Sequence, residues 1–577
     1  VTKREDGIVQ GRVTRRGLLA GLGAAAATAG LPGLAMAEKR ESRDAADFRR
    51  VLGQPDLARC YGESPEPIGL KRAAAGAEWS AGVVSLSCEE SADGLRLKLK
   101  AERAPVTRVH LRWRLAVPGA VRVLGDAWER SYGDLGWREM APERAMPWYF
   151  LAFDGRLTHG VGVKTGAGAL AFWQCDPEGV SLWLDVRNGG RGVRLGEREL
   201  ELATVVVRPG HAGETAFAAA RAFCAVMSPQ PRLTTPVYGS NDWYYAYGKS
   251  SAEDILRDAD LMAELSPAGG VRPFTVMDEG WEQNAKFPSM DGLAKQIKAK
   301  SVRPGIWVRP LRARALDGSW ESDQQLLLPV ERFGAGVKAE DVTAAWDPTI
   351  PDAREKVLTT IRNPVSWGYE LIKHDFSTYD LLGQWGSGMG ASPTREGWSF
   401  HDRTHTNAEI VRSLYEDIRK EAGDKTVLVG CNVIGHLSAG LFELQRTGDD
   451  VSGHDWERTR RMGVNTLAFR LPQHGTFFAM DPDCVPVTDA VPWEQTEAWM
   501  KAVATSGASL VVSPSGDALD EDGKAAIKRA FAIAAANGQS AEPEDWMDSP
   551  SPAVWKSKAG ETRYAWLLPG GASPFGI

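Results

Sequence analysis

Two hydrophobic periods divide the chain. From about residue 38 to 232 apolar and polar residues alternate, as in "TRVHLRWRLAV", where Val109, Leu111, Trp113 and Leu115 fall on one face. "GVSLWLDV" and "RELELATVVV" repeat the pattern between Gly and Pro turns, and a period of two predicts strands with one buried face. Together these segments predict a large antiparallel β-sandwich. After Pro236 short apolar runs alternate with amphipathic stretches of helical period. "PFTVMDEGW" precedes "SMDGLAKQIKAK", and "YELIKHDF" precedes "HTNAEIVRSLYEDIRKEAG". Eight such units fit into roughly 300 residues, the cadence of a (β/α)8 TIM barrel. No Gly-rich phosphate loop follows the first of these strands, which argues against a doubly wound open sheet. Finally, "PAVWKSKAGETRYAWLL" reads as the first strands of a small β-rich C-terminal segment, either minimal or truncated.

The expected organisation is therefore multidomain: a leader at 1–37, a β-sandwich at 38–232, a (β/α)8 barrel at 233–540 and a short β segment at 541–577. The leader carries paired Arg15 and Arg16, then a weakly apolar Ala/Gly/Leu stretch, then Ala35-Met36-Ala37 as a cleavage site. This resembles a bacterial twin-arginine export signal and implies a periplasmic or secreted protein. The apolar stretch is Gly-rich and falls short of the roughly 20 strongly apolar residues of a membrane span.

Charge and composition narrow the function. A net charge of −7 gives no reason to expect nucleic acid or an anionic membrane surface as partner. Six cysteines (Cys60, Cys88, Cys175, Cys224, Cys431, Cys484) lack metal-type spacing, so neither a zinc site nor a disulfide framework is indicated, and no cofactor is implied. The 21 tryptophans offer flat apolar platforms of the kind that sugar rings stack on, although large cores also consume Trp.

In a (β/α)8 barrel the chemistry sits at the C-terminal strand ends. Here those ends are polar one after another: Asp242 and Trp243, Asp278 and Glu279, Trp307 and Arg309, Lys373 and Asp375, Cys431 and Asn432, Arg446 and Asp450, Asp481 and Asp483. Lys373 and Asp375 lie two residues apart on one strand and so share a face, which predicts an Asp375 carboxylate held ionised by its neighbouring cation. Many carboxylates, aromatic walls and no nucleophile–His dyad point to acid–base chemistry on a neutral polyhydroxy substrate. Glycoside hydrolysis needs two carboxyl groups in different environments. Asp375 is the candidate nucleophile, and Asp450 or its neighbour Asp449 the candidate acid/base. The turn-rich segment "GDAWERSYGDLGWRE" (125–139) is read either as a loop reaching toward the site or, preferred here, as a polar loop of the sandwich.

Several motifs between about 236 and 515 resemble those of the melibiase-type α-galactosidases, glycoside hydrolase families 27 and 36. "MDEGW" is similar to the family's Asp-Asp-x-Trp, "GIWVRP" to its Gly-x-Trp, "IKHD" to its Lys-x-Asp nucleophile motif, "RTGDD" to its Arg-x-x-x-Asp acid/base motif and "MDPD" to its Asn-Asp-Pro-Asp. The resemblance implies Asp375 as nucleophile, prefers Asp450 over Asp449 as acid/base, and assigns Asp278, Trp307, Lys373, Cys431 and Arg446 to sugar binding. Asp242, Trp243, Glu279, Asn432 and Asp483 complete the candidate substrate-binding set from their strand ends. The implied activity is release of a terminal α-linked galactose-like sugar from an oligosaccharide or a polysaccharide end. Departures from the motif (Glu279 for the second Asp, no acidic residues after Trp307, "GCNVIG" after strand 5) leave open another sugar, as in an α-N-acetylgalactosaminidase or a β-L-arabinopyranosidase. A transglycosidase and a non-catalytic carbohydrate-binding relative are further alternatives. A homo-oligomer is left open.

The export reading predicts that Arg15→Lys combined with Arg16→Lys traps precursor in the cytoplasm. Fractionation showing an unchanged periplasmic yield rules the twin-arginine pathway out.

Overall fold

The structure, a computed structural model, describes residues 46–573 apart from 75, 229–230, 233–234, 283–284, 314–322 and 537. The leader at 1–37 lies outside the described residues.

Between residues 57 and 208 the chain builds two antiparallel sheets, one of six strands and one of nine. The alternation read from the sequence sets their faces. Within Arg108–Arg114, Val109, Leu111 and Trp113 are buried, and they pair across to Leu184, Leu182 and Val180 of Gly179–Asp185. This strand ends at Arg114, so Leu115 lies beyond it and is only half-buried, one residue short of the expected apolar face. Helix Ala216–Met227 then packs on the nine-stranded sheet. Its Phe223 ring fills the space where a side chain at Gly160 would stand, an added Cβ there meeting the ring at 2.2 Å.

The second half holds a curled parallel sheet. We label its strands β1 (Tyr238–Asn241), β2 (Phe274–Met277), β3 (Arg303–Val308), β4 (Leu371–His374), β5 (Val427–Gly430), β6 (Leu444–Arg446), β7 (Ala479–Asp481, resuming as Cys484–Val487) and β8 (Leu510–Pro514). Neighbouring strands pair in parallel from β1 to β7, and β1 also pairs with β8. The second half of β7 pairs with β8, and Ser509 N–H donates to Met480 C=O at 2.9 Å, so the sheet curls back on itself as a TIM barrel does. Pro482 and Asp483 interrupt β7, with Asp483 at φ 70°. The paired amphipathic segments form the connecting helices. Ser251 and Thr406 start two of them with reciprocal capping boxes. The β5–β6 connection is shorter than its sequence implies, a single turn at Gly435–Ser438.

Period-two alternation explains where chemistry begins. Val237, Phe274, Val276, Leu371, Val427, Val429 and Leu444 form an apolar plug at the N-terminal end of the sheet. One or two inward positions further on, the same strands present Asn241, Asp278, Lys373, Cys431 and Arg446. The plug is a packed floor, and the polar ring above it is the floor's continuation along the same strand faces. The C-terminal segment forms three short antiparallel strands, Glu542–Pro543, Val554–Ser557 and Gly560–Arg563, matching the β-rich reading of that stretch.

Candidate active site

The Asp375 carboxylate follows the last residue of β4. Its backbone N–H donates to Val308 C=O at 3.0 Å, which ties the end of β4 to the end of β3. Trp307 Nε1–H donates to Asp375 Oδ2 at 3.0 Å and Phe376 N–H to Oδ1 at 2.7 Å, so both carboxylate oxygens are oriented. Burial alone raises this carboxyl. The charges of Arg130 and Lys373, with the two hydrogen bonds, outweigh burial and leave it below the ordinary carboxylate value.

Lys373 does share the inward face with Asp375, but its ion pair is with another strand. Its Nζ lies 2.7 Å from Asp278 Oδ2 at the end of β2. Burial depresses the ammonium, and the Asp278 charge more than reverses that, leaving it well above its usual value. Asp278 is held in turn by Asn241 Nδ2 at 2.8 Å and by Glu279 N–H at 2.8 Å. Register places Lys373 beside Trp307, so β2, β3 and β4 present Asp278, Trp307 and Lys373 as one inward cluster.

The opposite wall is organised by Arg446. Its Nη1 lies 3.2 Å from Asp450 and 3.0 Å from Asp483, and its Nε 3.2 Å from Asp481. Asp483 also accepts from Val451 N–H at 3.0 Å and from the Tyr244 hydroxyl, and the left-handed backbone at Asp483 turns its carboxylate inward to meet them. Burial, partly offset by Arg446, raises the Asp483 carboxyl.

Asp449 and Asp450 separate cleanly. Asp449 bridges Arg130 Nη2 at 2.7 Å and Arg458 Nη2 at 2.9 Å, and its side chain is 20% exposed. Asp450 is 43% exposed, with Arg446 at 3.2 Å and Arg130 at 3.6 Å. The doubly paired Asp449 anchors the loop, and Asp450 keeps the more open carboxylate.

The 125–139 segment is not a free polar loop of the sandwich, as preferred above. Ser131 N–H donates to Thr447 C=O at 3.0 Å, and Asp449 N–H donates to Ser131 C=O at 2.9 Å, a parallel bridge onto the chain just after β6. That seam carries Arg130 into the site, buried, with Nη1 also 3.8 Å from Cys431 Sγ. Sequence reasoning missed Arg130. Nothing in strand periodicity links a sandwich loop to a barrel mouth, and the only signal was the density of Trp and charge in the segment.

Two candidates, Asp242 and Asn432, are buried behind the strand ends, and Trp243 is not. Asp242 is buried, accepting from Asp278 N–H at 2.7 Å and from the Ser250 hydroxyl. Asn432 is buried against Glu129, which accepts from its Nδ2, and its Oδ1 accepts from Tyr379 N–H at 3.1 Å. Trp243 is half-buried, its ring 5.6 Å from that of Tyr247. Glu279 reaches the rim but is paired to Arg312 at 3.1 Å, whose other Nη holds Glu282 at 2.5 Å. Cys431 is buried, and burial pushes its thiol well above the usual value, so it stands as a neutral wall of the site.

No protein-family model and no curated protein sequence matches the chain. Solved structures do match. One is an α-galactosidase from Thermus thermophilus in complex with p-nitrophenyl α-D-galactopyranoside, 18% identical with a TM-score of 0.55 over 86% of this chain and 100% of that one. Another is a glycoside hydrolase family 36 α-galactosidase from Geobacillus stearothermophilus in complex with 1-deoxygalactonojirimycin, 13% identical with a TM-score of 0.54 over 87% of this chain and 77% of that one.

Asp242 gives this arrangement a pH signature. Burial and the Asp278 charge push its carboxyl from 3.8 up to about 7. The folded form therefore holds this proton more tightly than the unfolded form, and the group's contribution to stability falls as pH rises through that window. Asp242→Asn cannot ionise and keeps the acceptor for Asp278 N–H. Its Tm relative to wild type is expected to climb between those two pH values, and a constant difference across them contradicts the assignment. At these low identities the comparison establishes architecture: the chain has the fold shared by these α-galactosidases.

Proposed function

We propose that the protein is a retaining glycoside hydrolase that releases a terminal α-linked, galactose-like sugar by double displacement. The observation that carries this reading is the pairing of a buried carboxylate, Asp375, held ionised and oriented on both oxygens, with a more exposed one, Asp450, near the same guanidinium. Double displacement needs one fixed, ionised carboxylate for attack and a second that both leaving group and water can reach. In the first step Asp375 attacks the anomeric carbon and forms the glycosyl ester, while Asp450 gives its proton to the departing glycosidic oxygen. In the second, Asp450 takes a proton from water, the water oxygen attacks the anomeric carbon, and the Asp375 carboxylate leaves.

The remaining groups position the sugar. Asp278 and Lys373 offer an acceptor and a donor to adjacent hydroxyls, and Trp307 supplies an indole wall that also fixes the nucleophile. Arg446 neutralises Asp481 and Asp483, which keeps the wall beside Asp450 from accumulating negative charge. Solved neighbours in this fold include α-galactosidase complexes with stachyose and with raffinose, which supports an oligosaccharide substrate for this chain. With the twin-arginine pattern of the leader, we place the activity outside the cytoplasm.

Glu279 favours a second reading, in which the subsite takes another sugar. Its carboxylate is drawn toward Arg312. A site that pairs this carboxylate with protein offers substrate hydroxyls a different set of acceptors from one in which it is free, and lost hydrogen bonds to hydroxyls discriminate by about 10⁴-fold.

Asp375→Asn keeps the size of the side chain and removes the charge. Hydrolysis of nitrophenyl α-galactoside is expected to fall by several orders of magnitude, and added azide is expected to yield a glycosyl azide of inverted configuration. A variant that stays within about tenfold of wild type excludes Asp375 as nucleophile.

A further inference from the structure

A second groove lies on the sandwich, on the face of the six-stranded sheet turned away from its partner sheet. Strand alternation there is unusual. On Arg108–Arg114 and Gly179–Asp185 the inward positions are Val109, Leu111, Val180, Leu182 and Leu184, so the outward ones should be plainly polar. Instead a row of rings crosses three strands, because Trp183 stands opposite Phe172 on one side and His110 on the other. Trp183 stacks on His110 at 4.1 Å and 5°, lies parallel to Phe172 at 6.1 Å, and meets Tyr61 at 5.6 Å and 35°. Its Nε1–H is fixed by Gln174 Oε1 at 2.7 Å. Trp183 and Tyr61 are only half-buried, so a rigid aromatic platform borders open space.

That space is a cavity of about 720 Å³ between the platform and the 391–397 loop. This is the size range of small-ligand sites. Its charged lining is unbalanced. Arg108 donates to Ser392 Oγ at 3.3 Å, and among the described residues no carboxylate oxygen lies within 4.0 Å of it. Asp185, its neighbour across the strands, is already taken by Arg187 Nε at 3.0 and 2.9 Å. The Arg191 guanidinium donates to the Gly397 carbonyl, from Nη2 at 3.2 Å and Nε at 3.4 Å, and among the described residues it has no carboxylate partner within 4.0 Å. Glu63 is engaged by Arg403 at 3.0 Å, while Glu396 is exposed at the rim. Burial and the nearby Arg187 charge lower Arg108 from its ordinary value, outweighing the charges of Asp185 and Glu396 that raise it.

We propose that this groove is a carbohydrate-binding site for an oligosaccharide carrying a carboxylate, that is, one containing a uronic acid unit. The apolar face of a sugar ring rests on Trp183 and Tyr61, and the carboxylate takes the guanidinium fork of Arg108, with Arg191 beside it. None of these residues belongs to the barrel mouth, so the site holds substrate-bearing material without taking part in bond cleavage. It stands independently of the proposed hydrolytic reaction.

The test is calorimetric titration of the full chain with α-1,4-trigalacturonate and with α-1,4-galactotriose, which lacks only the carboxylates. Using Asp375→Asn as the parent keeps the neutral sugar from turnover. Saturable binding of trigalacturonate is expected, weakened about tenfold or more by Arg108→Gln and by Trp183→Ala, with galactotriose at least about tenfold weaker at this site. In the otherwise wild-type chain both substitutions are expected to leave nitrophenyl glycoside hydrolysis unchanged. Absence of saturable trigalacturonate binding at millimolar concentration overturns the proposal. So does an affinity that Arg108→Gln leaves unchanged, or equal binding of the two sugars. If Trp183→Ala lowers the Tm sharply, Arg108→Gln, which keeps the platform intact, decides alone.

Discussion

Arg130 is the charge on which the site depends. The C-terminal ends of the parallel strands bring Asp278, Asp375, Asp449, Asp450, Asp481 and Asp483 together, and so many carboxylates in a largely buried space repel one another unless cations are placed among them. Lys373 answers Asp278, and Arg446 answers Asp481 and Asp483. Both come from the strands themselves. Arg130 comes from the sandwich, pairs with Asp449, approaches Asp450 and lowers Asp375. Breaking one member of such a buried network costs about 3–5 kcal/mol, because it leaves an uncompensated charge. The two halves of the chain are thereby joined by electrostatics at the place where chemistry is proposed, and the backbone seam between Ser131 and the Thr447–Asp449 segment fixes that join in space.

This arrangement explains a division of labour between the two proposed catalytic carboxylates. Asp375 has its oxygens occupied by Trp307 and Phe376 and sits deep enough for nearby cations to act strongly. Asp450 is contacted by Arg446 at one oxygen and keeps much of its surface open. A group that must form and release a covalent bond needs a fixed direction of attack. One that must pass protons between leaving group and water needs access to both.

How much of this was legible in the sequence follows from which contacts are local. The parallel strands and their order were readable because apolar period, helix period and turn chemistry agree along "PFTVMDEGW", "YELIKHDF" and their successors. Asp375, Trp307, Lys373 and Arg446 were readable because each is a strand-end residue whose facing is set by its own strand. The partner of Lys373 was not. Its nearest carboxylate in sequence is Asp375, but the ammonium reaches across two strand positions to Asp278, and only sheet curvature determines that reach. The burial of Asp242 and Asn432 behind the mouth was equally hidden, since a polar strand-end residue in sequence does not reveal which polar groups will close over it. Arg130 was the hardest of all. It lies more than 300 residues from Cys431 and Asp449, and its role arises from the docking of one architecture on another. Strand periodicity did not separate Asp450 from Asp449; the Arg-x-x-x-Asp resemblance preferred Asp450, while the occupation of Asp449 by Arg130 and Arg458 was hidden.

The Arg130 charge holds Asp375 ionised, and the pH dependence of an Arg130→Gln variant tests that most directly. Loss of the guanidinium raises the Asp375 carboxyl, so the acid limb of kcat/KM is expected to move to higher pH, with kcat at the optimum reduced by about 10²–10³. Added Arg130→Lys should return the limb part of the way toward wild type. An Arg130→Gln enzyme whose acid limb stays where the wild-type limb lies, whatever its loss of stability, contradicts the claim and leaves Arg130 as a structural bridge alone.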